Sequence, residues 1–193
     1  MKKITIIIAI ALFLYSCNNT TIEKTDKTKA TQQASTTNKS VIETTGGTQI
    51  KVVLTGGANA GSYTASSAES TCSMGLTGKK SFGNQYSVSG KSDNEFSSLQ
   101  LLVDDYEAAK LGTDKFYIKV AFGKRLMGNK YEINGSDNSI SGKKQGIGKL
   151  TIIEIGGSKV VHVAGKTSDG INISADISCN TVLTDDNGQL KEK

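Results

Sequence analysis

The chain has no proline and no tryptophan, one histidine, three cysteines, and eleven Tyr and Phe residues among its 193. Each scarcity removes a class of answer. Without proline, chain reversals fall to glycine, of which there are 21, and to Asn, Asp and Ser, which tolerate turn conformations. That is the habit of a chain made of hairpins. Without tryptophan, the strongest sugar-stacking platform of glycoside hydrolases is missing. A lone His162 has no obvious ligand partner near it in sequence and no C-x-x-C spacing to join, so no metal or cofactor site is expected. No block of five or more like charges occurs, and no Lys/Arg cluster interleaves with aromatics, which argues against a nucleic-acid partner.

What is present begins at the N-terminus. Lys2 and Lys3 precede the apolar run Ile4 to Leu14, and small Ser16 stands directly before Cys17. These are the three zones of a secretory signal, and eleven residues are too few to cross a bilayer as a helix, which takes roughly 20. Leu14-Tyr15-Ser16-Cys17 resembles the bacterial lipobox. The resemblance implies a signal peptide over 1–16, cleavage before Cys17, a diacylglyceryl group on the Cys17 thiol and acylation of the new amine. Acyl chains contribute about 0.8 kcal/mol per buried methylene, so two or three make a durable anchor. The expected location is the bacterial cell envelope. The Lys/Asn/Ile bias suggests an AT-rich genome and keeps a Gram-negative envelope in play; the outer membrane is expected ahead of the inner one, with the facing side open. The formal charge of +5 falls to +3 once the two signal lysines are removed, and a weak attraction to acidic surfaces is all it allows.

Residues 17–47 are rich in Thr, Lys, Asn, Gln and Ser, with no aromatic and few aliphatic residues. Such a stretch buries too little apolar surface to offset its ordering entropy and reads as a disordered tether. From Thr48 to 183 the texture changes to short apolar runs separated by Gly- and Asn-rich turns. Strands are expected at 50–54, 85–89, 97–103, 116–122, 131–133, 147–155, 159–164 and 171–177, most with period-two alternation. Asn134-Gly135 and Gly156-Gly157 read as hairpin turns. The expectation is all-β: an antiparallel β-sandwich or open barrel of eight or nine strands with one wet face. Asp104 to Lys110 is ambiguous between helix and loop, with a strand to Val103 and then a helical turn or loop favoured. Residues 184–193 read as a polar tail.

Removing Cys17 from the count leaves Cys72 and Cys179 as a pair in an exported chain. An oxidising compartment favours one disulfide between them; two free thiols and a metal pair are the competing readings. For catalysis the candidates are thin. His162 alternates with Val161 and Val163 on a strand, and no G-x-S-x-G elbow accompanies it. Asp104, Asp105 and Glu107 form the most acidic local cluster, which reads more simply as a solvated loop than as a carboxylate pair for glycoside hydrolysis. Asp185-Asp186-Asn187-Gly188 lacks the spacing of a calcium loop. No catalytic residue is therefore assigned.

The layout of tether, small all-β domain, Thr71-Cys72-Ser73, Val163-Ala164-Gly165-Lys166-Thr167 and a closing run from Ile171 to Cys179 resembles the mycobacterial LpqH-type lipoprotein antigens over roughly residues 48–180. That resemblance implies a surface-exposed antigen with no established enzyme activity, recognised by host receptors through its lipid. The expected function is a membrane-anchored envelope lipoprotein whose non-enzymatic sandwich presents a surface to an unknown protein or small ligand. The alternative is an envelope hydrolase using Asp104, Asp105 or His162. A pocket gathering His162 with one of those carboxylates would favour the enzyme; strand faces of Thr, Ser and Lys would favour binding.

Overall fold

The computed structural model describes residues 47–192 other than 68, 91, 125–127, 141 and 187–188, with the backbone alone for 67 and 185–192. The expected signal peptide, Cys17 and the tether up to residue 46 lie outside the described residues. The described chain folds as β1 (Thr48–Thr55), β2 (Gly61–Ser67), β3 (Ser70–Met74), β4 (Phe82–Ser87), β5 (Phe96–Val103), α1 (Tyr106–Lys110), β6 (Phe116–Phe122), β7 (Lys130–Asn134), β8 (Ile147–Ile155), β9 (Ser158–Lys166), β10 (Asn172–Cys179), β11 (Val182–Asp186) and β12 (Gln189–Glu192). One sheet has the order β2-β1-β10-β9-β8 and the other β12-β11-β3-β4-β5-β6-β7. Neighbours are antiparallel except β11, which runs parallel to β3. The result is an all-β, sandwich-like fold and not a closed barrel.

The alternation that predicts strands also sorts their faces. In the first sheet Ile50, Val52, Ile173, Ile177, Val161, Val163, Leu150 and Ile152 are buried, and in the second Leu99, Leu101, Val103, Phe116, Ile118, Val120 and Ile133 meet them. At one end Tyr63, Phe96, Phe122 and Tyr131 pack ring against ring, with the Tyr63 and Phe122 centroids 4.8 Å apart. Buried Asn59 ties the loops there. Its backbone N–H donates to the Tyr131 hydroxyl, its Oδ1 accepts from Tyr131 and from Asn129, and its Nδ2 donates to Asn94. One side-chain amide thus bonds groups from two other loops and from β7 in a crowded aromatic corner.

Twelve strands among the described residues exceed the expected eight or nine, and the four extra ones are β2, β3, β11 and β12. Their apolar signal is small: β2 reads Gly-Ser-Tyr-Thr-Ala-Ser-Ser, and only Tyr63 and Ala65 pack against the core. The stretch expected as a polar tail from 184 is also corrected. It forms the end of β11 and all of β12, paired from Leu183 with Glu192 to Asp186 with Gln189. Val182, buried beside Cys72, seats β11 on β3 and carries the hairpin with it.

Cys72 and Cys179 are disulfide-bonded with Cα atoms 6.0 Å apart and a sequence separation of 107. The bond joins β3 of one sheet to the end of β10 in the other and is fully buried. Around it Asn84 Nδ2 donates to Ser70 Oγ at 2.9 Å, and Thr48 Oγ1 donates to the Ser70 carbonyl.

Two turn expectations part company. Gly156 and Gly157, at φ +58° and +88°, make the tight β8–β9 reversal that positive φ at both positions favours. Asn134-Gly135 does not turn back on itself. It opens a long loop that closes when Asn134 pairs with Gln145. Gly135 serves close approach instead, since a Cβ there would stand 2.0 Å from the Asp114 carbonyl oxygen.

Candidate functional site

Residues of β3 to β7 on the face away from the other sheet line up in two rows. One runs through Ser73, Gly83, Leu102, Tyr117 and Asn134. The next, two residues along each strand, runs through Gln85, Gln100, Lys119 and Glu132. Gly83 contributes no side chain, so the face dips between Ser73 and Leu102. Two loops rise beside the dip: the β3–β4 loop, residues 75–81, and the β7–β8 loop, residues 135–146. Their tips Leu76 and Ile140 line the hollow and are 59% and 100% exposed. The trough, open along one side, has a volume of about 420 Å³, within the 300–1,000 Å³ typical of small-ligand sites.

The trough has two halves. Its loop end mixes apolar Leu76, Leu102, Ile140 and the ring of Tyr117 with polar Ser73, Thr77, Ser81, Asn138 and Ser139. Its open end is polar, formed by the row from Gln85 to Glu132. Tyr117 is nearly buried, and its hydroxyl donates to Glu132 at 3.4 Å. Burial, with the Glu132 charge adding to it, pushes the Tyr117 phenol far above its ordinary range. Tyr117 therefore stays a protonated donor at any physiological pH. The Ser139 hydroxyl in the loop wall is buried with no hydrogen-bond partner among the described residues.

Both walls are held from below by the adjacent carboxylates Asp104 and Asp105, at the end of β5. Asp104 accepts from the Ser136 hydroxyl and, at 2.7 Å, from the Asp137 backbone N–H. Asp137 in turn pairs with Lys115 at 3.1 Å and with Lys144. Asp105 faces the other wall, 3.4 Å from Lys80, while the Tyr106 N–H donates to the Lys80 carbonyl at 2.8 Å. Asp105 also caps α1 by accepting from the Glu107 and Ala108 N–H groups, the usual role of an aspartate before a helix. The Ala108 N–H first, and Lys80 after it, hold the Asp105 carboxyl below its usual range. The Lys144 and Lys115 hydrogen bonds do the same for Asp137. Of the acidic cluster that the sequence reads as a solvated loop, Asp104 and Asp105 thus tie the two trough loops, while Glu107 stays exposed beside Lys110.

The helix-or-loop ambiguity after Val103 resolves as the short helix α1. It lies against β8, where the Tyr106 hydroxyl donates to Glu154 and the ammonium groups of Lys110 and Lys159 stand 4.8 and 5.4 Å from the Tyr106 ring centroid. Together with Thr113, which pairs with Leu150, it covers part of an otherwise open sheet edge.

The outer face of the first sheet is built differently. A straight row crosses all five strands through Thr64, Lys51, Asp176, His162 and Thr151. His162 Nδ1 lies 2.7 Å from Asp176 Oδ1, and both side chains are about half exposed. Beside them a broad depression of about 660 Å³ is floored by Val53, Ala164 and Ser174 and edged by Lys149 and Lys166. It exceeds the trough in volume but is open to solvent, so the trough is the better-formed site. The structure does not bring the catalytic candidates together: Asp104 and Asp105 serve the loops, His162 pairs with Asp176, and none of the three lines the trough. Among the described residues, no group of three or more His, Cys, Asp or Glu side chains is placed to hold a metal ion. No protein-family model matches the chain, and comparisons with curated proteins and with solved structures give no match.

Proposed function

We propose that the chain is a lipid-anchored lipoprotein of a bacterial envelope, with the outer membrane favoured, whose non-enzymatic sandwich binds its ligand or partner in the trough on the seven-stranded sheet. The observation that carries the binding reading is the trough itself. It is concave, amphipathic and walled by two loops that a pair of aspartates clamps in place. Residues that do no more than close a core have no need of such walls. The anchor reading rests on Lys2, Lys3, the run Ile4 to Leu14 and the position of Cys17. The hydrolase alternative is the weaker one, because the His162–Asp176 pair sits on an open face, half exposed, with no loop over it among the described residues.

The anchor has a direct test. Cys17→Ala removes the acylation site, so the variant is expected in the soluble envelope fraction while the parent chain stays with membranes through a high-salt wash. A Cys17→Ala chain that remained membrane-bound under the same wash would overturn the lipoprotein reading.

A further inference from the structure

Resting on the lipoprotein reading, we infer that the β8–β9 hairpin is a second point of membrane contact, and that its partner is the headgroup–acyl boundary of the bilayer that holds Cys17. The first argument is where the chain enters the fold. Gly47 immediately precedes β1, and its carbonyl accepts from Asn180 Nδ2 at 2.8 Å. Oδ1 of the same side chain accepts from the Ser158 hydroxyl at 3.0 Å. One amide therefore fixes the hairpin beside the point at which the segment from Cys17 arrives. That segment covers thirty positions and can span at most about 100 Å, so the anchor allows contact and separation alike. The surface at the entry point decides between them.

That surface is apolar. Ile153 and Ile155 lie two residues apart on β8, so they share its outer face, and they are 42% and 55% exposed. Ile153 pairs with Val160 of β9, which adds a third aliphatic side chain to the same face. Gly156 and Gly157 make the turn, and Ser158 follows. Residues this small let the tip approach another surface closely. Other exposed aliphatic residues belong to hollows: Leu76 and Ile140 line the trough, and Ile147 lines the open depression. Ile153 and Ile155 line neither, so neither hollow accounts for their exposure.

The third argument is that the hairpin brings no lone charge to the contact. Glu154, between the two isoleucines, turns to the opposite face. There it accepts from the Tyr106 hydroxyl and lies 3.5 and 3.8 Å from the ammonium groups of Lys110 and Lys159. The apolar patch ends at the next row, Thr151 and His162, so the contact is shallow. Three aliphatic side chains fall far short of the roughly 1,200 Å² that a stable pair of copies would bury. They are also too few to hold a free domain on a membrane. Once Cys17 is acylated the contact becomes intramolecular, and a weak affinity then suffices to orient the domain.

The test places the full acylated chain in phosphatidylcholine nanodiscs containing a headgroup-nitroxide lipid and reads the paramagnetic loss of amide NMR signals. The strongest loss is expected at residues 153–158, with little at residues 56–59, which β1 carries about 25 Å away from Gly47. Replacing Ile153 and Ile155 together by Ser should remove most of the loss while the chain stays on the disc. Both side chains are partly exposed, so the variant keeps the fold, which its unshifted core amides would show; Ile155→Ser alone should give a smaller reduction. Loss at residues 153–158 that both variants leave unchanged would overturn the contact. So would a chain that stays with the discs but loses signal evenly, not at all, or most at residues 76–81 and 138–140; the lipid anchor would stand in each case. A chain that leaves the discs overturns the lipoprotein reading, and the contact with it.

Discussion

The two outer faces of this sandwich begin from the same rule and end as different surfaces. On both, alternation turns every second residue outward. The five-stranded sheet puts there the residues that look most reactive, His162 beside Asp176 with Lys51 and Thr151 in line. Yet no loop among the described residues stands over them, and both side chains of the pair are about half exposed to water. The seven-stranded sheet puts out plain residues, Gln85, Gly83, Gln100 and Leu102, and two loops flank them. The lesson is that concavity, more than residue type, separates a site from a surface: flanking loops give a ligand more than one side to contact.

The largest perturbation should remove the frame that both faces share. Reducing the Cys72–Cys179 bond, or replacing both residues by Ala, releases a crosslink spanning 107 positions. The chain-entropy estimate for so long a loop is about 4–5 kcal/mol, read as a drop in the urea midpoint of unfolding. A loss under about 1 kcal/mol would mean that the sheets are held by packing alone.

The next effect should distinguish the faces. Asp104→Ala leaves the Ser136 hydroxyl and the Asp137 N–H without their carboxylate, a change on the order of 1–3 kcal/mol for partly buried groups. Amide exchange should accelerate in residues 135–146 first. His162→Ala on the other face removes an exposed ion pair and should change stability by less than about 0.5 kcal/mol, with no loop affected. Equal exchange profiles in the two variants would erase the distinction drawn between the faces.

Acid gives a smaller, graded version of the same contrast. Asp105 and Asp137 are held below their usual range by their hydrogen bonds and lysine partners. Their stabilisation is complete above the ordinary carboxylate value of about 4 and is lost as pH falls through the depressed values. Residues 75–81 and 135–146 should therefore exchange faster as pH drops below about 4, after intrinsic-rate correction, while the disulfide-linked core strands keep their protection. Loosening of the core strands before the loops would contradict the clamp.

Much of the frame was legible from residues alone. Leu99, Leu101 and Val103, and Phe116, Ile118, Val120 and Phe122, alternate cleanly because their strands bury one face. The cysteine pair followed from counting once Cys17 was set aside for the lipid, an assignment that itself rests on residues outside the described part. The thin strands were harder: β2 has Tyr63 and Ala65 as its inward anchors, and β11 and β12 look like a tail until Val182 is seen beside Cys72. The trough was not legible, and the reason is distance along the chain. Asp104 reaches Ser136 and Asp137 across 32 and 33 positions, and no local pattern marks such contacts. The acidic pair did stand out in the sequence, as a cluster without a purpose.

The central claim is that the loop-flanked face, not the open one, meets the ligand. A photo-reactive residue placed at position 100 in the trough, or at position 164 on the open face, would test it in membranes of cells producing the full chain. The account predicts adducts at position 100 that are lost when Asp104→Ala is added, and none above background at position 164. Adducts at position 164 with none at position 100 would contradict it.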